Sequence, residues 1–333
     1  MKVWEVRQPG GLSNLILTER PEVTPQRGEV VVRWRATSLN YHDYLVANGA
    51  IPVADKRIPM SDGAGEIVAV GDGVNRWAPG DKVMSLYFRD WQEGRPTPKK
   101  TGELGGEDVD GCAVELTRLA EHQITAMPKH MSFTEAATLP CAGLTAWRGL
   151  VVEGGLKAGD TVLVQGTGGM SILALQIAKA AGAYVFATSS SEAKLEKLKA
   201  LGADEVVNYS ADGSWGKTVF RLADGGVDHV LDVGGGATIR HSVEAARMGG
   251  HIALIGILGG VKGELVFPKL FTKQVRLTGL SVGSAEMQNE MVAALETANI
   301  TPVIDRSFAF HELVDAFRYQ ESGAQFGKIV VEH

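Results

Sequence analysis

Cysteine is nearly absent from this 333-residue chain, which holds only Cys112 and Cys141. Two thiols exclude a disulfide framework and a four-cysteine zinc lobe, and they suit a reducing compartment. No run of 18 apolar residues occurs, and the start MKVWEVRQPGG lacks an apolar signal-type segment; a cytoplasmic location with no membrane partner is expected. Positive charge is not in excess either. The net charge is −6 and no basic stripe interleaved with aromatics appears, which argues against nucleic acid as a partner. The eight histidines are scattered, with no pair at metal-ligand spacing. What remains is an ordinary globular composition, 44% hydrophobic and 22% charged, on a chain long enough for two cores.

Residues 161–189, TVLVQGTGGMSILALQIAKAAGAYVFATS, are the most informative stretch. The apolar run Thr161 to Gln165 reads as a strand, Gly166-Thr167-Gly168-Gly169 as a turn, and Ile172, Leu175, Ile177 and Ala178 recur at helical spacing before a second strand, Tyr184 to Thr188. This is the pattern of a nucleotide-binding βαβ unit. Gly166 permits the tight turn, Gly168 removes the Cβ that would bar a phosphate, and the helix opening at Gly169 and Met170 offers unpaired N–H groups and its positive dipole end. The third glycine of G-x-G-x-x-G is Ser171, so the match rests on the strand before and the helix after.

An NAD site usually carries Asp or Glu at the end of the second strand. Here that place holds Ser189, Ser190 and Ser191, with Lys194 in the next turn and Tyr209 after a third strand, Glu205 to Val207. Hydroxyls and a lysine accept a 2′-phosphate where an acid would repel it, so NADPH is the expected cofactor. Ser189-x-x-Glu192 also matches a helix capping box, and a ribose-binding Glu192 would reverse the preference.

Residues 1–126 read as a β-rich unit: Glu29 to Arg35, Gly65 to Val70 and Lys82 to Leu86 are strand-like, with Gly71-Asp72-Gly73 and Pro79-Gly80-Asp81 as turns. From Pro128 strands and helices alternate through Val227 to Val233, His251 to Ile255 and Val275 to Leu280, so six strands fit a doubly wound sheet. A helix from about Ala285 to Asn299, a strand near Phe308, a helix from Glu312 to Ser322 and a strand Lys328 to Val331 close the chain. The polar stretch 88–111 reads as a long surface loop.

Asn40-Tyr41-His42-Asp43, Asp62-Gly63-Ala64-Gly65-Glu66, Pro79-Gly80-Asp81-Lys82-Val83, Gly143-Leu144-Thr145-Ala146-Trp147, the glycine turn, Leu201-Gly202-Ala203-Asp204 and Gly327-Lys328-Ile329-Val330 together resemble the medium-chain dehydrogenase/reductase superfamily, over nearly the full length. The resemblance points to its zinc-free quinone oxidoreductase and enoyl reductase branch. It implies an α/β chain: a GroES-like, β-rich barrel domain for substrate (residues 1–126 and 284–333) and a doubly wound, parallel, six-stranded Rossmann domain (residues 127–283). The positions that resemble the catalytic zinc ligands carry Asn40, Ser61 and Cys141, too few metal donors for a four-coordinate site, so no metal is expected.

Without a Lewis acid the favoured acceptor is already electrophilic, a quinone or an α,β-unsaturated carbonyl. Asn40 is then a candidate partner of the substrate carbonyl, and Tyr41 or His42 a proton donor oriented by Asp43. Each also has a structural reading, as a strand end, pocket wall, surface histidine or cap. On the cofactor side the resemblance adds Thr145; Val233, Gly256, Ile257 and Leu258 follow apolar strands, and Lys328 is expected to reach the cofactor from the other domain. Tyr87, Phe88 and Trp91 fit either a substrate wall or ordinary packing. An alcohol dehydrogenase or ketoreductase of the same superfamily, and a non-catalytic NADPH-binding protein, are the alternatives. The apolar segment Val275 to Gly283 resembles an edge strand through which relatives pair, so a homodimer is expected.

Overall fold

The computed structural model describes residues 1–333. In chain order its elements are β1 (Lys2–Val6), β2 (Leu15–Glu19), β3 (Glu29–Ser38), α1 (Tyr41–Ala47), β4 (Asp62–Val70), β5 (Lys82–Ser85), β6 (Leu116–Ala120), β7 (Ile124–Ala126), α2 (Phe133–Ala136) and α3 (Leu144–Trp147). There follow β8 (Thr161–Gln165), α4 (Gly169–Ala180), β9 (Tyr184–Ser189), α5 (Glu192–Ala200), β10 (Glu205–Asn208), α6 (Trp215–Leu222), β11 (Val227–Asp232), α7 (Ile239–Ala245), β12 (Ala246–Leu254), α8 (Phe267–Thr272) and β13 (Arg276–Gly279). The tail adds α9 (Ala285–Ala298), β14 (Ile304–Ala309), α10 (Leu313–Glu321) and β15 (Lys328–Glu332).

Two compact units result: Met1–Leu144 with Val282–His333, and Thr145–Ser281. The division lies at Leu144/Thr145 rather than at 126/127. The stretch from Pro128 carries helical residues such as Ala136, Leu139 and Leu144 that are fully or almost fully buried, so the first unit keeps a helical segment that sequence alternation assigned to the second.

In the first unit a seven-stranded sheet runs β14-β15-β3-β4-β5-β7, with β6 also on β3. All its pairings are antiparallel except β14 with β15. Irregular registers at Val31/Val32 and Trp34/Ala36 bend the long β3 against β4, as bulges do in a barrel-like sheet. Gly65 sits at this bend because a Cβ there would lie 2.1 Å from the Arg33 carbonyl oxygen. Val30, Val32, Trp34, Ile67, Ile124, Phe317 and Val331 fill the core.

The second unit is a parallel six-stranded sheet of order β10-β9-β8-β11-β12-β13, the doubly wound topology the βαβ pattern predicts. β8 reads TVLVQ without alternation because Val162, Leu163 and Val164 are buried, as expected of a central strand covered on both faces. α4 closes this layer with Ile172, Leu173, Leu175 and Ile177.

Three sequence expectations change. The 88–111 loop is anchored: Trp91 is fully buried, Tyr87 and Phe88 pack edge to face at 4.9 Å, and Phe88 bridges Leu104. These aromatics are packing. β13 ends at Gly279, and Val282 is buried with a left-handed φ of 45°, so the apolar 275–283 run is not one strand. The cap of α5 is Ser191, whose hydroxyl accepts from Lys194 N, whereas Ser189 accepts from Ser191 N.

Candidate active site

The second unit gathers most of the expected cofactor residues at one edge of its sheet. Because β8, β9, β11 and β12 are parallel, their carboxyl ends share an edge, and Gly166 to Met170, Ser189, Ser190, Val233 and Gly256 to Leu258 all lie at or follow those ends. Gly166 has φ 75°, and a Cβ at Gly166 or Gly168 would meet no atom within 4 Å, so bare backbone faces open space. Gly168 caps α4 without any side-chain bond, leaving the first N–H groups of the helix for a ligand. This geometry fits a dinucleotide pyrophosphate. Thr145, Thr167 and Ser189 are buried; Ser190, Tyr209, Ile257 and Leu258 are exposed; Met170, Lys194, Val233 and Gly256 are intermediate.

The loops after β11 and β12 are knitted together, with Leu258 N donating to Val233 O at 3.1 Å. Beneath them lies a group that sequence reasoning missed. Buried Asp232 accepts from Gly234 N (3.1 Å), Gly235 N (2.9 Å), Thr238 Oγ1 (2.6 Å) and Ser242 Oγ (2.6 Å), and Ser242 accepts from Gln165 Nε2 (2.7 Å). The chain thereby fixes the turn that follows β11. An acid closing an apolar strand before Gly234-Gly235-Gly236 was the available signal.

In the first unit sheet register builds a polar cluster. β3 pairs Ser38 with Asp62 of β4 and with Val330 of β15, which brings Asn40, Ser61, Asp62 and Lys328 together. Asn40 Nδ2 donates to Ser61 Oγ (3.1 Å) and Asp62 Oδ2 (2.9 Å), and Ser38 Oγ reaches the same carboxylate oxygen at 3.2 Å. Lys328 Nζ donates to Asn40 Oδ1 (2.5 Å) and Leu39 O (2.7 Å). Asp43, buried in α1, accepts from Asn40 N (2.9 Å) and Ser61 N (2.8 Å).

One expectation is corrected by this geometry. Both Asn40 amide hydrogens are committed to Ser61 and Asp62, so Asn40 organises the cluster instead of offering a free donor to substrate. Lys328 is buried and donates within its own unit, where it anchors Asn40. Tyr41 opens α1 exposed, while His42 pairs through Nε2 with Glu107 Oε2 at 3.0 Å, a partner supplied by the long loop.

Asp62 is the residue that sequence reasoning had least cause to single out. It is fully buried, its Oδ1 has no partner, and desolvation pushes its pKa from 3.8 to about 7, against the lowering pull of Lys328. Desolvation first, then the Asp62 carboxylate, hold the Cys141 thiol well above its ordinary pKa, so Cys141 keeps its proton at neutral pH.

Comparison with known proteins places this architecture. The alcohol dehydrogenase GroES-like domain family matches residues 26–129 and the zinc-binding dehydrogenase family residues 169–298. A zinc-type alcohol dehydrogenase-like protein, C1773.06c of Schizosaccharomyces pombe, is 40% identical over 314 residues, spanning 92% of this chain and 91% of that protein. The chain belongs to the medium-chain dehydrogenase/reductase superfamily. It is an oxidoreductase of the NAD(P)-dependent kind. The 2-methylene-furan-3-one reductase of Solanum lycopersicum is 32% identical across 99% of this chain and 79% of its own length. A crystal structure of an NAD-dependent alcohol dehydrogenase superposes with a TM-score of 0.91 at 34% identity, covering all of both chains. No helix is long and apolar enough to cross a membrane.

One of the two family names carries zinc, and the donors of this chain do not fit that metal. No group of three or more His, Cys, Asp or Glu side chains stands where it would hold a metal ion. Around Asn40 the candidates are one thiol, Cys141, the Ser61 hydroxyl, a committed amide and the Asp62 carboxyl, too few metal donors for a tetrahedral zinc with three protein ligands.

Proposed function

We propose that this dehydrogenase/reductase is a zinc-independent, NADPH-dependent reductase of quinones or α,β-unsaturated carbonyls. The observation that supports the reading is the buried Lys328–Asn40–Asp62 cluster, whose polar atoms are tied up internally at a position that resembles a zinc ligand of relatives, Asn40. When bound, the dinucleotide supplies hydride from its nicotinamide. The protein then orients the acceptor, excludes water and delivers one proton. A conjugated acceptor requires no Lewis acid, because its own carbonyl lowers the barrier to hydride addition. In keeping with this, the tomato relative is named for a ketone conjugated to a methylene group.

Tyr41, exposed at the start of α1, and His42, whose Nε2 lies 3.0 Å from Glu107 Oε2, are the proposed proton donors, with Asn40 as the positioning residue between them and the cluster. NADPH is supported by the acid-free end of β9 with Lys194 and Tyr209. The second reading, alcohol oxidation or ketone reduction, is favoured by the printed names of the yeast relative and the superposed structure. A homodimer is also proposed, through β13, the outermost strand of its sheet, beside α8 with its exposed Phe267 and Phe271.

The test is cofactor oxidation with NADPH and with NADH against quinones, enones, enoyl thioesters, aldehydes and alcohols. Turnover of conjugated acceptors with NADPH supports the proposal. Turnover of alcohols or simple aldehydes alone overturns the acceptor class, and equal or better kcat/KM with NADH overturns the cofactor.

A further inference from the structure

The end of β9 lacks an acid, yet Glu192 stands only three residues beyond Ser189, at the first position of α5. A carboxylate there competes with a 2′-phosphate or binds a ribose hydroxyl, depending on where it points. Its direction is set by Asn208, the last residue of β10, which pairs with Ser189 in the sheet. Asn208 Oδ1 accepts from Ser210 N (3.0 Å) and Ala211 N (3.3 Å), which fixes the amide plane and aims Nδ2 at its hydrogen-bond partner, Glu192 Oε1. Tyr209 N donates to Ser189 O at 3.1 Å, so the two strand ends are held together.

We propose that Asn208 is a cofactor-discriminating positioning residue: it tethers the Glu192 carboxylate so that Ser190, Lys194 and Tyr209 meet a 2′-phosphate without a competing negative charge. The proposal rests on the NADPH reading and deepens it. An Asx turn alone would cap the strand and have no bearing on which dinucleotide binds. The tether has that bearing because the group it holds is the acid that follows the end of β9 most closely in the chain. Released, Glu192 either repels the phosphate or accepts from a ribose 2′-hydroxyl, and both effects move discrimination toward NADH.

The experiment is fluorescence titration of full-length wild type, Asn208→Ala, Glu192→Gln and the double variant with NADPH and with NADH, giving Kd values independent of turnover. Asn208→Ala is expected to weaken NADPH by roughly threefold to tenfold, the size of one solvent-screened repulsion, with NADH unchanged or tighter. Adding Glu192→Gln to Asn208→Ala should restore NADPH affinity. Equal weakening of both cofactors, or no rescue by Glu192→Gln, reveals a merely structural role and overturns the proposal alone. Tighter NADH than NADPH binding by the wild type overturns the cofactor reading, and the proposal with it. Circular dichroism of each variant separates lost binding from lost folding; should Asn208→Ala fail to fold, Asn208→Ser, which keeps a turn-forming oxygen but no amide donor, gives the same comparison.

Discussion

Replacing Asp62 with asparagine should make the protein's stability less sensitive to pH, with a sign that the burial of this residue dictates. In the folded state the carboxyl has a pKa of about 7 against an ordinary 3.8, because desolvation outweighs Lys328 and the hydrogen bonds from Asn40 and Ser38. Between these values the folded protein holds a proton that the unfolded chain has released. More protons bound when folded means that stability falls as pH rises. The benefit is full below the unfolded pKa and is lost through the folded one. A difference of roughly 3 pH units at about 1.36 kcal/mol per unit gives about 4 kcal/mol lost by wild type across the window. The amide introduced by Asp62→Asn carries no such proton. Urea titrations of the pair followed by circular dichroism, at about pH 4.5 and about pH 7.5, isolate the contribution of this residue. The stability of Asp62→Asn relative to wild type is expected to rise by about 3 kcal/mol between the two pH values, the part of the window that they span. A flat difference, or one that falls with pH, would refute the argument by showing that Lys328 and the donors overcome desolvation and keep the carboxylate charged.

Lys328→Met should destabilise the first unit by about 2–6 kcal/mol, since it leaves Leu39 O and Asn40 Oδ1 without their buried donor, each at about 1–3 kcal/mol; a loss under about 1 kcal/mol in urea titration would contradict this. A Cβ at Gly168 meets no protein atom within 4 Å and the residue has an ordinary φ, so in Gly168→Ala the fold should survive while NADPH Kd rises at least about tenfold. Undiminished binding would remove the glycine turn from the cofactor site. Purified protein should lack stoichiometric zinc by elemental analysis and keep activity in chelator; one zinc per chain lost together with activity would reverse the assignment. Light scattering should give a dimeric mass. Leu254 O accepts from Leu280 N, so alternation turns the Leu277 N–H to the free edge, and Leu277→Pro should yield monomer; a persisting dimer moves the interface away from β13.

Local patterns determined much of this protein. The 2-period and 3.6-period runs, the glycine turn and the serine-rich end of β9 are all written within short windows, because a strand, a turn and a helix start depend on neighbours a few residues apart. The six-strand order follows from repeated βα units, whose right-handed crossovers admit few topologies. The aim of polar side chains was not legible in that way. Asn40, Ser61, Asp62 and Lys328 meet only because β3 lies between β4 and β15, and that register commits the Asn40 amide and makes Lys328 its anchor. The raised pKa of Asp62 is likewise a property of its surroundings, since the same residue one strand nearer solvent would be an ordinary carboxylate. Asn208 reads as a turn residue in sequence, and only the pairing of β10 with β9 places it opposite Glu192. Chain-local chemistry decides which elements form; long-range pairing decides which polar atoms are left to act.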